Sequence, residues 1–341
     1  MIATGVFQKS IAAFLAPVRH LLDDAGVSEI MINGHEEIWV ERKGLISKTD
    51  DRFPSEAGLI AALTNISQFA GRPLNQQHPI LEAHLPDGSR IEAVLPPVSK
   101  QGPAVSIRKF SKTMLTIKKL VDLDSLSAKA AVFLARAVAS KKNIVVSGGT
   151  GSGKTSLLGA LSAFFSLGER IVVLEDTHEI QIQRPHVVYL ESKSADEKGR
   201  GRITIRDLLR ATLRLRPDRI IVGEVRGQEA LDLIQSMISG HAGSMTTVHA
   251  NHPIDALRRI ETMGLMSDTE LPLSALRSQI SSAVDIVVQA ERTRDGKRQI
   301  GEISAIHNLI DNDYSLTKLF ARDSHQNLVA LKKPVRPGGT K

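Results

Sequence analysis

Residues 147–156 read SGGTGSGKTS, and few stretches of ten residues restrict a fold more tightly. Gly148, Gly153, Lys154 and Thr155 fit the spacing G-x-x-x-x-G-K-[ST], which carries meaning only between a strand and a helix. Both flanks are present. NIVVS (143–147) is a short β-branched run suited to a buried parallel strand, and TSLLGALSAFF (155–165) carries apolar residues at helical spacing. In that setting the backbone of Gly148, Gly149, Thr150, Gly151, Ser152 and Gly153 curls so that successive N–H groups point inward at phosphate oxygens. The following helix, opening through Lys154, Thr155 and Ser156, adds the positive end of its dipole. Lys154 is placed to reach the β- and γ-phosphates, and the Thr155 hydroxyl to bind Mg2+ directly. The stretch predicts a nucleoside triphosphate site.

The segments around it agree. A helix is expected from about Ser127 to Ser140, and strands at RIVVLED (170–176), RIIVGE (219–224), SMTTVH (244–249) and DIVVQ (285–289), with helices between most of them. That alternation is the pattern of an α/β domain with a mostly parallel sheet covered on both faces. The first ~110 residues read instead as a smaller α+β domain. EIMIN (29–33), EIWVER (37–42), ILEAHL (80–85), RIEAVL (90–95) and AVSIRKF (104–110) are strand-like, and SEAGLIAALTNISQFA (55–70) is helical, stopped by Gly71 and Pro73. The expected division is an N-terminal domain at 1–112, a linker at 113–126, an NTPase domain at 127–310 and a C-terminal segment at 311–341. The last ten residues, KKPVRPGGTK, carry four basic and no acidic side chains and are expected to be disordered. IAAFLAPV (11–18) reads as an amphipathic helix, not a signal peptide.

Composition narrows the partners only slightly. Lys and Arg number 44 against 37 Asp and Glu, a net charge of +7, which suits nucleic acid, an anionic membrane face or an acidic partner without choosing among them. The chain has no cysteine, which excludes disulfides, zinc-thiolate sites and cysteine nucleophiles. No apolar run approaches the ~18 residues of a membrane span. Aromatic residues make up 4%, which speaks against a channel that stacks single-stranded nucleic acid.

Three further constellations accompany the loop. LEDTHE (174–179) puts Glu175, Asp176 and Glu179 at a strand's C-terminal end, in the ligand crevice of such a sheet. They could hold Mg2+ through water, orient an attacking water, or form a solvated acidic turn. In RIIVGEVRG (219–227) the usual aspartate position is Gly223 and Glu224 follows, so Glu224 is the candidate to activate water or hold the metal through water, the alternative being a strand end with an ordinary ion pair. Arg226 lies two residues on, within reach of phosphate or a neighbouring subunit. In GHAGSMTTVHAN (240–251), His241 and His249 suggest a sensor that contacts the γ-phosphate or couples strands to the site, with no third ligand for a metal. Separately, TIRDLLRATLRLRPDR (204–219) reads as a helix opened by a Thr204–Asp207 capping box, with Arg206, Arg210 and Arg214 on one face. That face is either solvated or a subunit or phosphate contact.

Taken in order, SGGTGSGKTS, LEDTHEIQIQ, LRLRPDRIIVGEVRGQEALD and GHAGSMTTVHAN resemble the Walker A loop, Asp box, Walker B and His box of the type II/type IV secretion ATPases. VSEIMINGHEEIWVERKG (27–44), LPDGSRIEAVLPP (85–97) and VSIRKF (105–110) are most similar to the Tad/Flp pilus-assembly ATPases of the CpaF type, with conjugal-transfer ATPases as near relatives. The likeness spans roughly residues 15–310. It implies a homo-hexameric ring of cytoplasmic subunits, held at the inner-membrane face through platform proteins and making no direct contact with nucleic acid. Each subunit would have a PAS-like N-terminal domain and a RecA-like P-loop domain, with ATP and Mg2+ between them. On the same resemblance, Arg90 and Arg108 are the N-terminal-domain arginines that reach the nucleotide. Glu175 and Glu224 are the catalytic acids, also holding Mg2+ through water, and His249 is the His-box residue, with His241 also fitting. The implied function is a motor coupling ATP hydrolysis to domain rotation. A nucleic-acid translocase and a non-catalytic nucleotide-gated scaffold are the alternatives, the latter disfavoured by Lys154, Thr155, Glu175 and Glu224.

Overall fold

A computed structural model describes residue 11 and residues 13–110, 115–195 and 199–331. The basic tail expected at 332–341 lies outside the described residues, as does part of the helix expected at 11–18. The chain divides into two compact units, Met1–Lys112 with Ala195–Gly201, and Thr113–Ser194 with Arg202–Lys341.

The first unit is built on strands β1 (Val27–Asn33), β2 (Glu37–Arg42), β3 (Leu45–Lys48), β4 (Ile80–His84), β5 (Arg90–Val94) and β6 (Ala104–Arg108). They form one six-stranded sheet in the order β3-β2-β1-β6-β5-β4, antiparallel throughout. Helix α1 (Arg19–Asp23) precedes it and α2 (Glu56–Ala70) follows β3. Ser55 caps α2 by accepting from the Gly58 N–H, and Gly71 ends it. Alternation decides the packing. Ile30, Ile32, Ile38, Val40, Ile91, Ala93, Val105 and Ile107 are buried with Leu59, Leu63 and Ile66 of α2. The intervening positions, among them Glu29, Glu82, Arg90 and Arg108, form the polar face. Strand β3 carries no alternating pattern in the sequence, because all four of its residues are exposed.

The second unit holds strands β7 (Ile144–Gly148), β8 (Ile171–Glu175), β9 (Val187–Glu191), β10 (Arg219–Val222), β11 (Met245–Val248), β12 (Ile286–Arg292), β13 (Arg298–Ile310), β14 (Asp313–Arg322) and β15 (Leu328–Ala330). They make one nine-stranded sheet in the order β15-β14-β13-β12-β7-β11-β10-β8-β9. From β12 to β9 every pairing is parallel, and β13, β14 and β15 extend the sheet antiparallel. The helices are α3 (Ile117–Asp122), α4 (Ala128–Ala139), α5 (Lys154–Leu161), α6 (Ile205–Thr212), α7 (Glu229–Ile238), α8 (Pro253–Leu265) and α9 (Leu273–Ala283).

Successive strand residues feed opposite cores. Ile144, Val146, Ile171, Val173 and Ile286 pack with Leu134, Val138, Leu157 and Leu161 of α4 and α5. Val145, Val172, Leu174, Ile220, Val222 and Val287 pack with Leu209, Leu233, Ile234, Leu257 and Ile280 of the other helices. A sheet buried on both faces explains why these strands read as unbroken apolar runs. The pattern is the expected mostly parallel α/β architecture.

Candidate functional site

Strand β7 runs into the phosphate loop and α5 leaves it. Gly153 is the N-cap of α5 at φ +91°, a conformation that glycine adopts at no steric cost and that turns the chain into the helix. Lys154 is nearly buried, and its ammonium donates to the carbonyls of Gly148 at 3.0 Å and Gly149 at 2.9 Å. The Ser152 hydroxyl donates to the Gly149 carbonyl at 2.9 Å. Thr155 stands in the first turn of α5, where free N–H groups and the helix dipole favour an anion.

Parallel register brings the acidic groups to the same sheet edge. Val222 of β10 lies beside Leu174 of β8, and Val248 of β11 beside Ser147 of β7. The residues that follow, Glu175, Gly223, Glu224 and His249, therefore emerge next to the loop. Gly223 approaches Glu175 closely: a β-carbon there would stand 2.8 Å from the Glu175 Cγ. The space that an aspartate would take at 223 is filled by the Glu175 side chain, and the carboxylate follows at 224.

The two carboxylates differ in environment. Glu175 is 5% exposed. Its Oε1 accepts from the N–H groups of Glu179 at 3.1 Å and Ile180 at 2.9 Å, and Oε2 lies 3.3 Å from His178 Nδ1. Burial outweighs the two backbone bonds and pushes its pKa up to about 7. Glu224 is only partly buried. Burial alone would raise its pKa, but the Arg226 bond and charge, with His249 and Lys154 beside it, hold it below the usual carboxylate range. Its Oε2 accepts from Arg226 Nη2 at 2.8 Å, and its Oε1 lies 3.2 Å from His249 Nε2. His249 Nδ1 is 3.5 Å from Lys154 Nζ. Burial and the Lys154 charge hold the imidazole below its ordinary pKa, against the pull of Glu224. Arg226, Glu224, His249 and Lys154 thus form one polar chain leading to the loop.

Hard oxygen donors, a Thr155 hydroxyl and two carboxylates beside a cluster of backbone N–H groups, suit a magnesium nucleotide. Among the described residues no group of three or more His, Asp or Glu could cage a metal alone.

The remaining candidates lie on other elements. His241 precedes β11 and His249 follows it, so a strand of roughly 13 Å separates them. This register places His241 at the other end of β11 from the loop, where its N–H donates to the Ser236 carbonyl, so it does not contact a phosphate there. The capping box of Thr204 and Asp207 is present, but the helix ends at Thr212. Arg206 pairs with Asp232 at 2.8 Å and Asp268 at 2.8 Å, and Arg210 with Asp232 at 3.2 Å, so these arginines tie α6 to α7. Arg90 and Arg108 lie in the first unit, directly opposite one another on β5 and β6. Arg90 donates to Glu82 Oε1 at 2.7 Å, and Arg108 is exposed.

Two residues near the loop were missed. Arg292 and Arg298 close the hairpin between β12 and β13, and Arg298 Nε donates to the Gly151 carbonyl at 2.9 Å. The signal available was the basic turn RTRDGKR (292–298), which has no meaning until β13 is known to return beside β12.

A family model described as type II/IV secretion system protein matches residues 12–317. The conjugal transfer protein TrbB of Rhizobium radiobacter is 35% identical over 312 residues, covering 89% of this chain and 92% of that protein. The type IV secretion system protein PtlH of Bordetella pertussis is 32% identical over 309 residues, covering 84% of this chain and 91% of its own. Among solved structures, the ATPase DotB of Legionella pneumophila aligns with a TM-score of 0.59 over 84% of this chain and 79% of that one. At 19% identity that likeness speaks for the fold alone.

Proposed function

The chain belongs to the type II/IV secretion system protein family, and from that premise we propose that it is a Mg2+-dependent ATP hydrolase working as a secretion motor. The observation that carries the reading is the chain of contacts from Arg226 through Glu224 and His249 to the loop lysine, with buried Glu175 alongside. Glu224, kept ionised by Arg226 and reachable from solvent, orients the attacking water and accepts its proton. Glu175 has one oxygen committed to backbone N–H groups and serves on the metal side, through water, with Thr155 as the direct ligand. When bound, Mg2+ neutralises charge on the β- and γ-phosphate oxygens. Lys154 exchanges its loop carbonyls for phosphate oxygens, and His249, neutral near pH 7, senses the terminal phosphate.

Arg90 and Arg108 are proposed as the charge that the N-terminal unit brings to the terminal phosphate. They share one face of the sheet, where Arg90 is bonded to Glu82 and Arg108 also stands opposite Glu29. A homo-hexameric ring, docked on inner-membrane platform proteins from the cytoplasmic side, is the assembly proposed. No helix of the described residues is long and apolar enough to cross a membrane. Similarity to the conjugal transfer protein TrbB and the type IV secretion system protein PtlH favours conjugal transfer or type IV secretion as the machine served, and the motifs at 27–44 and 85–97 favour a Tad/Flp pilus. Neighbouring relaxase and mating-pore genes, or pilin and platform genes, decide between them.

The test is ATP turnover by the purified chain. Activity should require Mg2+ and vanish in Lys154→Ala, and intact turnover in that variant would remove the scheme. Arg108→Ala should bind nucleotide normally and lose on the order of 10³-fold in kcat. An unchanged kcat refutes the arginine assignment.

A further inference from the structure

The hairpin between β12 and β13 meets the phosphate loop at its apex. Arg292 ends β12 and Arg298 begins β13, directly opposite in register, so their side chains leave the same face. Arg298 Nε donates to the Gly151 carbonyl at 2.9 Å. Arg292 Nη1 stands 3.0 Å from the place a β-carbon on Gly151 would take. The hairpin is itself held in place: the Arg298 carbonyl accepts from the Ser125 hydroxyl at 2.6 Å, and the Ile300 N–H donates to the Ser125 carbonyl at 2.8 Å.

Peptide geometry turns this contact into a statement about the loop. In a planar trans peptide the carbonyl of one residue and the N–H of the next point in opposite directions. Holding the Gly151 carbonyl toward Arg298 directs the Ser152 N–H the opposite way, and that N–H donates to the Gly149 carbonyl at 3.4 Å. That N–H is one of the donors on which anion binding by such a loop depends.

We propose that Arg298, with Arg292 beside it, is a positioning residue that locks the Gly151–Ser152 peptide so that the Ser152 N–H faces a nucleotide's phosphate chain. The proposal rests on the nucleotide reading given above. The brace lies in the same unit as the loop, so it acts whatever the N-terminal arginines do.

The test measures equilibrium binding of a fluorescent ADP analogue, and KM and kcat for ATP, on the full chain. Losing a charge-assisted hydrogen bond, Arg298→Ala should weaken ADP binding and raise KM about tenfold while kcat stays within about threefold. Arg298→Lys keeps a donor and the charge and should return affinity to within about threefold of wild type. Arg294→Ala removes one charge from the same exposed turn and should shift affinity less than about twofold. A thermal midpoint close to wild type in Arg298→Ala shows that the fold is kept. Wild-type Kd and KM in Arg298→Ala overturn the brace. So does an equal loss in Arg294→Ala, which would make the effect one of bulk charge. Lys154→Ala separates the two levels. If wild type binds and Lys154→Ala does not, an unaffected Arg298→Ala sinks the brace alone. If wild type binds no nucleotide, the reading of the site falls, and the brace with it.

Discussion

Replacing Glu175 by Gln should stabilise the protein at alkaline pH while removing a group the site needs. The carboxyl is 5% exposed, and burial raises its pKa from 4.5 to about 7. The folded chain therefore holds this proton more tightly than the unfolded chain. The resulting stability is fully present below about pH 4.5 and is lost as pH rises through about 7. At about 1.4 kcal/mol per pKa unit, the ionised form costs the native state about 3 kcal/mol above pH 7. Gln keeps an oxygen for the N–H groups of Glu179 and Ile180 and has nothing to ionise. Urea unfolding followed by circular dichroism, in EDTA and without nucleotide, provides the assay. The two proteins should be nearly equal at about pH 4, and the variant should lead by up to about 3 kcal/mol at about pH 8. Parallel stability curves over that range would refute the account of Glu175 as a carboxylate strained by burial.

Other substitutions test separate parts of the structure. Glu224→Gln should lower kcat by about 10²–10⁴-fold with nucleotide affinity little changed, measured by steady-state turnover and ADP binding. Gly223→Ala should cost about 1–3 kcal/mol in urea unfolding through the clash with Glu175, and much less in a Glu175→Ala background, which removes the opposing side chain. Thr204→Ala should cost about 1 kcal/mol by opening the capping box of α6. Arg206→Ala should cost about 1.5–3 kcal/mol, because it strips the paired and largely buried Asp232 of its main partner.

What could be read from the sequence follows from where the information lies. The parallel strands of the second unit were legible because both faces are buried, leaving β-branched runs such as IVV at 144–146 and 171–173. Strands β9, β13, β14 and β15 were not, since edge and antiparallel strands mix exposed polar positions into their patterns. The helix expected from Thr204 to the stop at Pro217 ends earlier, at Thr212: the Leu-Arg alternation continues beyond it, but Leu213 and Leu215 are exposed and Arg216 turns to φ +55°. The phosphate loop was legible because one short segment supplies its geometry. The contact of Glu175 with Gly223, the reach of His249 to Lys154 and the hairpin arginines all depend on which strand lies beside which. No local pattern records that.

The bonds from the Lys154 ammonium to the carbonyls of Gly148 and Gly149 have a consequence for selectivity. An incoming anion must replace two well-placed acceptors at once. A chloride ion, singly charged and without lone pairs spread over several atoms, exchanges poorly for that pair. A chain of phosphates, with several charges and oxygens spaced to meet lysine and backbone together, does so readily. On the proposed reading of the site, the two carbonyl bonds of Lys154 set a threshold that polyvalent anions cross more readily than ordinary salt.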